Sequence, residues 1–447
     1  MKLRKLFIAA LLTICMLTNA QTEGKWTLDD CIDYAIANNI SLKKQSLTKQ
    51  SATEDWKQSK AALLPSLSAS TSQSVGWRPW IDNGTSTVAN GTVTNKISKT
   101  YYNGSYGVSA SWTVWDGNKN RNTIKYNKMT EETAELDSAT AANSLKEQIA
   151  QLYVQILYTS EAIEVNKESV AASKKTEEQG QVMYDVGNMS KADLAQLTAQ
   201  RAQEEYNLVS SETQLAQYKL QLKQLLELEP ENNFDVYIPK ATDEQALADI
   251  PSLQETYEAA LMSRPEIAAS EKAIKSSSLN ISIAKAGKWP TLGISGSLGT
   301  STSSMTDTSW GNQMKTNFDA SVGLSLSIPI FDNRSTKTSV NKARIQYEQA
   351  LLDLQEQQKT LYSTIEGYWL DATSNQAMFK SATASVESQQ ESYSLLSQQF
   401  ELGLKNIVEL LTGKASLLSA QQEKLQSKYM TILDIQLLKF YSEGELK

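Results

Sequence analysis

The sequence predicts an internally duplicated membrane protein of mixed α/β class. Long coiled-coil helices adjoin a transmembrane β-barrel that four strands of one chain cannot close alone. Three observations predict this. Landmarks recur in the same order at a nearly constant offset. Segments of period two set an apolar face against a Ser/Gly face. Proline-free helical stretches run far beyond the length of an ordinary globular helix.

The duplication organises everything else. Asn39-Ile40-Ser41-Leu42 through Leu64-Pro65-Ser66-Leu67 matches Arg264-Pro265-Glu266-Ile267 through Trp289-Pro290-Thr291-Leu292 at an offset of 225. Val114-Trp115-Asp116-Gly117-Asn118 matches Ile330-Phe331-Asp332-Asn333-Arg334 at 216. Val186-Gly187 with Asp193-Leu194 matches Leu402-Gly403 with Glu409-Leu410, again at 216. The difference of nine falls between the Pro and Asp landmarks, so the first copy carries a longer insert there. The expected divisions are a signal segment at 1–20, a first repeat at 21–230, a connector at 231–251 and a second repeat at 252–447. Within the repeats, hairpins are expected at about 65–115 and 290–331, and helices at about 118–228 and 334–443.

Lys2, Arg4 and Lys5, the apolar run Leu6–Leu17 and the small residues ending at Ala20 read as a cleaved secretory signal. Its removal takes the formal charge from -7 to -10. Cys31 then remains as a lone thiol, expected to pack beside Leu28 and Ile32. The chain has no histidine and two cysteines, which removes Ser-His-Asp catalysis and zinc sites. The acidic balance opposes nucleic-acid binding. No cofactor or metal site is legible. After the signal no apolar stretch reaches helix-spanning length, whereas alternating barrel strands need none.

In the first copy Tyr106, Val108, Ala110, Trp112 and Val114 alternate with Ser105, Gly107, Ser109, Ser111 and Thr113. In the second, Phe318, Ala320, Val322, Leu324, Leu326, Ile328 and Ile330 alternate with Asp319, Ser321, Gly323, Ser325 and Ser327. Ser66–Ser74 and Thr291–Thr300 alternate more loosely. These make four strands in two hairpins. Trp77, Trp80, Trp112, Trp115, Trp289 and Trp310 lie in or at the ends of the segments, where an aromatic girdle meets the membrane interface. Asn83-Gly84 and Asn90-Gly91 predict turns in the long first loop. Four strands cannot close a barrel, so several chains must share one.

The helices follow. From Arg334 to Phe400 there is no proline. Val340, Tyr347, Leu351, Leu354, Leu361, Ile365, Tyr368 and Ala372 step by threes, fours and sevens, as do Leu145, Ile149, Leu152 and Ile156. Leu411, Leu418, Leu425 and Ile432 step by sevens beyond Gly403. Between the copies, Glu229–Asn233 predicts a turn and Phe234–Pro239 a short strand, ahead of the acidic stretch Asp243–Asp249.

The duplicated order resembles the TolC-type outer-membrane efflux proteins. The resemblance rests on Trp26-Thr27-Leu28, Arg264-Pro265-Glu266, the two Leu64-Pro65 and Trp289-Pro290 steps, Ile328-Pro329-Ile330-Phe331-Asp332-Asn333, and the Gly187 and Gly403 motifs. It covers essentially the whole chain after the signal. It implies a homotrimer whose twelve strands form one outer-membrane barrel and whose helices form a coiled-coil tunnel in the periplasm. It implies a passive exit duct, not an enzyme, partnered by a periplasmic adaptor (membrane fusion) protein and an inner-membrane transporter. By motif position Asp193 takes the place of the first-copy tip acid and Lys405 that of its basic partner. Glu409 and Thr412 take the places of constricting acids, and Phe400 that of a tip aromatic. Lysine cannot form the bidentate fork of arginine, and Thr412 removes one acid ring, so a weakly latched gate is expected. Gly187 and Gly403 permit the tip turns, with Val186, Met189, Leu402 and Leu404 as adaptor-contact candidates. A non-channel periplasmic coiled-coil spacer or surface structural protein is the competing reading.

Overall fold

The computed structural model describes residues 25–81, 83–88, 91–96, 98–229, 234–239 and 241–444. The expected signal segment, the turn residues 230–233 and Asn90 lie outside these. The chain forms two compact units. One takes Leu47–Glu135 and Ala269–Gln355; the other takes the described residues of Met1–Ser46, Leu136–Ala268 and Glu356–Lys447.

The first unit carries the strands. β1 (Ser66–Trp77), β4 (Thr100–Trp115), β5 (Thr291–Ser303) and β6 (Asp319–Ser327) form one antiparallel sheet in the order β1-β4-β5-β6. β2 (Asn83–Val88) and β3 (Gly91–Lys96) form a separate ribbon in the first-copy insert. Asn83-Gly84 therefore opens a strand, not the expected turn; Gly84 pairs with Asn95.

Register turns the alternation into two chemically distinct faces. On one, Ser66, Ser68, Ser70, Ser72 and Ser74 oppose Ser111, Ser109, Gly107, Ser105 and Asn103. β5 continues the rows with Ser295, Ser297, Gly299, Ser301 and Ser303, and β6 with Gly323, Ser321 and Asp319. The hydroxyls bond across the strands: Ser66 with Ser111 at 2.7 Å, Ser68 with Ser109 at 2.9 Å, Ser297 with Ser321 at 2.7 Å. The opposite face is apolar, in rows such as Leu67-Ala110-Gly296-Val322 and Ala69-Val108-Leu298-Ala320. It is open to its surroundings, with Leu67 76% and Val322 85% exposed.

Two departures from strict alternation matter. A bulge between Thr113 and Trp115 shifts the register, so Trp115 rather than Val114 opposes Leu292 and joins the apolar face with Trp112. There Trp115 packs edge-on against Trp289, ring centroids 6.3 Å apart. At the other end β6 stops at Ser327. Ile328 and Ile330, expected to continue the alternation, flank Pro329, which supplies no ladder donor, and lie exposed outside the strand. Phe318 likewise precedes the strand.

β5 outruns β6, leaving unpaired edge groups near its end. The short helix α8 (Trp310–Thr316) covers them. The Gln313 amide accepts from Ser303 N–H at 2.6 Å and donates to Ser303 C=O at 3.0 Å, standing in for a strand. Asn317 donates to Ser301 C=O at 2.7 Å.

Both copies pass from strand to helix through the same device. Gly117 (φ 68) and Asn118 (φ 65) are both left-handed, as are Asn333 (φ 50) and Arg334 (φ 68). The preceding aspartates cap the new helices: Asp116 accepts from Asn120 N–H at 2.9 Å and Asp332 from Thr336 N–H at 2.8 Å. The helices that follow, α3 (Lys119–Asp185) and α9 (Ser335–Glu401), each run 67 residues, about 100 Å at 1.5 Å per residue. Each contributes to both units.

The second unit packs α1 (Leu28–Asn38), the start of α2 (Ile40–Ala61), the later parts of α3 and α9, α4 (Lys191–Leu225), α6 (Leu253–Ser263) and α10 (Ile407–Glu443). α10 is the most deeply set, burying Leu433, Leu437, Leu438, Phe440 and Tyr441 among others. Cys31 is fully buried on α1. The expected strand at Phe234–Pro239 is a single parallel bridge, Val236 to Trp26, with Trp26 N–H donating to Asp235 C=O at 2.9 Å. The acidic stretch becomes α5 (Asp243–Ala246), where Asp243 meets Lys428 at 3.1 Å and Lys424 at 3.3 Å. Arg264 ends α6 and is buried. Its guanidinium stacks 3.6 Å from the Tyr441 ring and pairs with Glu147 at 3.2 Å. Pro265 then opens α7 (Pro265–Ala286), the helical position that needs no N–H.

A Cβ at Gly117 would stand 2.8 Å from Trp289 Cβ, in a backbone region that L-residues adopt at a cost of about 1–2 kcal/mol. Gly117→Ala is therefore expected to lower the melting temperature of the purified protein. Arg334→Asn, which copies Asn118 at the matching position, is expected to raise it, by roughly 0.5 kcal/mol of stability. A rise from Gly117→Ala would contradict the strain assignment.

Candidate functional site

The two glycine landmarks fold as one motif used twice. Helix α3 ends as Gly187 (φ 80) donates to Tyr184 C=O at 2.9 Å and Asn188 donates to Met183 C=O at 2.8 Å. Helix α9 ends as Gly403 (φ 72) donates to Phe400 C=O at 2.9 Å and Leu404 donates to Gln399 C=O at 2.8 Å. Both are Schellman endings, which place a residue of positive φ after the helix. Three residues later each partner helix is capped. The Ser190 hydroxyl accepts from Asp193 N–H at 3.1 Å, and Asn406 Oδ1 accepts from Glu409 N–H at 2.9 Å.

The capping decides where the predicted gate residues point. Asp193 accepts from the Ser190 hydroxyl at 2.7 Å, closing its own helix start. Lys405, in the turn before the cap, pairs at 3.0 Å with Glu409 in the first turn of α10, both partly exposed. Within one chain, then, Asp193 and Lys405 do not pair with each other. Lys405 beside Glu409 holds that carboxyl below the usual carboxylate range. Thr412 donates back to Val408 C=O at 2.7 Å.

Phe400, expected as a tip aromatic of the gate, is buried with Leu197, Ile407 and Leu410 in a small core joining both tips. Met189, expected at a docking surface, packs against the same core. Both serve packing. Val186, Leu402 and Leu404 remain exposed, as do Val182 and Val408.

Sequence reasoning missed a buried ion pair in this unit. Lys414 of α10 meets Glu204 of α4 at 2.9 Å, with side chains 9% and 3% exposed. The ammonium also donates to Ser169 C=O at 2.8 Å and to the Ser173 hydroxyl, both on α3. Glu204 accepts from Ser169 at 2.9 Å, Ser173 at 2.8 Å and Gln200 at 2.9 Å. Burial pushes the Lys414 ammonium below its ordinary value, against the pull of Glu204. The available signal was position: Lys414 falls between Leu410 and Leu417 on the buried stripe, and Glu204 falls seven residues after Leu197.

Among the described residues no group of three His, Cys, Asp or Glu side chains is placed to hold a metal ion, and no helix is long and apolar enough to cross a membrane.

The family model for "Outer membrane efflux protein" matches residues 31–227 and again 256–438. The chain belongs to the outer membrane efflux protein family. It is 21% identical over 433 residues to the outer membrane efflux protein BepC of Brucella suis, covering 96% of this chain and 88% of that protein. Its fold is similar to the CmeC outer membrane channel of Campylobacter jejuni, with TM-score 0.75, 20% identity and 93% and 86% of the two chains covered. It is equally similar to the outer-membrane channel OprN, with TM-score 0.75, 18% identity and 93% and 89% covered. The chain is thus an outer membrane efflux protein with the fold of the OprN and CmeC channels, in a family of non-enzymatic proteins.

Two measurements test the local assignments. Asn406→Ala removes a cap and is expected to cost about 1 kcal/mol of stability. Lys405→Ala touches only an exposed pair and is expected to leave the melting temperature unchanged. The second concerns Asp434, buried on α10 with Asn375 donating to it at 2.9 Å. Burial, with Asp371 nearby, raises its carboxyl from 3.8 to about 6. A raised acid favours the folded state while protonated, so its contribution is full below about pH 4 and is lost as pH rises to about 6. Asp434→Asn is expected to flatten stability across that window, removing a slope of at most about 1.4 kcal/mol per pH unit. An unchanged pH profile would assign the slope to other groups.

Proposed function

We propose that three copies of this chain close one twelve-stranded barrel and form a passive exit duct. The observation that carries this is the four-stranded sheet itself. It has a hydroxyl and glycine face, an apolar face, and free outer edges on β1 and β6 among the described residues. In hydrocarbon an unpaired edge is not tolerated. The strand order is antiparallel and even, so β6 of one copy can pair with β1 of the next in the same sense. The apolar face then meets lipid, and the serine rows line water. Asp319 is the one charged side chain among the paired positions of that inner face.

The helical parts are the periplasmic conduit in this reading, and the tips its mouth. Val186, Leu402 and Leu404 offer the apolar surface for a periplasmic adaptor, and an inner-membrane transporter supplies the energy and selects the cargo. Glu409, the exposed acid after Gly403, is the candidate for a constricting ring. The chain works without a cofactor.

Reconstitution in planar bilayers tests the duct. The purified protein is expected to give a small, discrete conductance from trimers. Val322→Asp with Leu324→Asp, placing charge on the lipid face, is expected to prevent membrane insertion. Glu409→Ala is expected to weaken block by multivalent cations. Folded trimers that never conduct would favour a periplasmic spacer instead.

A further inference from the structure

The far end of the β1–β4 ladder carries a charge whose side of the sheet is fixed by register. Ser72, Ser74 and Gly76 continue the serine face, while Val75 and Trp77 lie exposed on the apolar face. Gly76 opposes Tyr101, and a Cβ at Gly76 would overlap the Tyr101 ring. Tyr101 therefore lies across the glycine on the serine face. One step on, Arg78 N–H donates to Lys99 C=O at 2.7 Å, which extends the ladder past Trp77. The Arg78 guanidinium stands 4.5 Å from the centroid of the same Tyr101 ring. Arg78 thus shares the face that carries the serine rows.

The stack sets what the arginine can do. The ring takes the flat face of the guanidinium and leaves the N–H fork at its edge. Among the described residues no carboxylate pairs with Arg78. Arginine keeps its charge at any physiological pH, and its fork fits carboxylate or phosphate oxygens two at a time. The neighbouring sequence has the same sign. Between β1 and β4 stand Arg78, Lys96 and Lys99 against Asp82 alone, in a chain of formal charge -7. Asp319, the acid of the inner face, lies in the row of Ser70. From that row to Arg78 is roughly 27 Å along β1, at about 3.4 Å per residue. The Debye length is about 10 Å at 0.1 M salt, so the two charges act on separate stretches of the same face.

We propose that Arg78, held on Tyr101, forms with its counterparts in the other copies a cationic collar inside the outer mouth of the barrel, which draws carboxylate or phosphate cargo towards the exit. This rests on the reading of the chain as a trimeric duct, with the strand end opposite the helices facing outward. Twelve strands about 4.8 Å apart, tilted by about 40°, close a barrel roughly 24 Å wide. At about 0.01 M salt the Debye length is about 30 Å, so the field of the collar spans the lumen there. Arg78 is the specificity-determining residue, and Tyr101 positions it.

Reversal potentials of purified trimers in planar bilayers, under a gradient of dilute potassium chloride, test the collar. Arg78→Gln keeps the backbone bond to Lys99 and removes the charge. It is expected to lower the chloride-to-potassium permeability ratio roughly twofold, an effect that fades towards about 1 M salt. Arg78→Lys keeps the charge and is expected to keep the ratio. Tripolyphosphate added on the side opposite the helices is expected to block wild type most, Arg78→Lys less for want of the fork, and Arg78→Gln least. If Arg78 only closes the end of the ladder, Arg78→Gln lowers the melting temperature and leaves both the ratio and the block unchanged. That result overturns the collar and leaves the duct standing. So does a ratio that falls as far in Arg78→Lys as in Arg78→Gln. Folded trimers that never conduct remove the duct itself, and the collar with it.

Discussion

Hydrocarbon offers no partner to a backbone N–H or C=O, and the rest of the molecule is arranged around that constraint. A family member of the outer membrane must place strands in lipid, yet this chain supplies a sheet of four. Four strands leave two edges, and each edge is a row of groups that only another strand can satisfy. Where the sheet is ragged, the protein supplies a substitute of its own. β5 extends past β6, and Gln313 answers Ser303 with both ends of its amide. The substitution of a side-chain amide for a strand is confined to the few residues beyond the last backbone pair. The two long outer edges have no such cover among the described residues, which is the physical reason to look for them in other copies.

The two faces of the sheet are equally constrained. Serine has low hydrophobicity but no charge, so rows of serine hydrate without strong selection by sign. Cross-strand hydroxyl bonds add a few tenths of a kcal/mol each and keep the rows in register. Slipping one residue would exchange the faces entirely. The bulge at Thr113 shows the same rule being broken once for a purpose. It brings Trp115 onto the apolar face beside Trp289, close to where the chain leaves the sheet. There the paired left-handed residues turn strand into helix, and an aspartate caps the start.

Much of this is legible in the residues, because periodicity is a direct record of which face a side chain takes. Alternation locates all four strands, and the glycine landmarks locate both tips. What escapes has a common cause: a local backbone event overrides the pattern. The bulge adds one residue without changing composition, so strict alternation puts Trp115 on the inner face. The ribbon at Asn83–Lys96 hides behind Asn-Gly, which marks turns far more often than strand starts. Pro329 stands inside the alternation of Ile328 and Ile330, and its missing donor ends β6 where the apolar period alone would carry on. At the tips, residue type suggests a latch between Asp193 and Lys405, whereas local capping claims Asp193 and a neighbouring turn claims Lys405. Caps compete for short polar side chains before any long-range partner does.

Duplication explains both the likeness of the tips and where they part company. The Schellman endings and caps repeat residue for residue, because a helical hairpin has few ways to turn. Packing inside the hairpins repeats with its members exchanged. Gly180 of α3 takes Leu197 of α4 against it, while in the second copy Leu396 of α9 lies against Gly413 of α10. Positions 180 and 396 match, as do 197 and 413, so each pair keeps one large and one absent side chain. Volume is conserved while the donor of the volume changes, the kind of change that cores tolerate best. Charge is not exchangeable in this way. A buried ammonium needs its carboxylate across the interface between the copies, and an equivalent second pair would fix both sides of that interface. Glu204 and Lys414 occur once, at positions whose counterparts are Ala420 and Thr198. The repeated features therefore turn each helical hairpin, and the unrepeated pair ties one hairpin to the other.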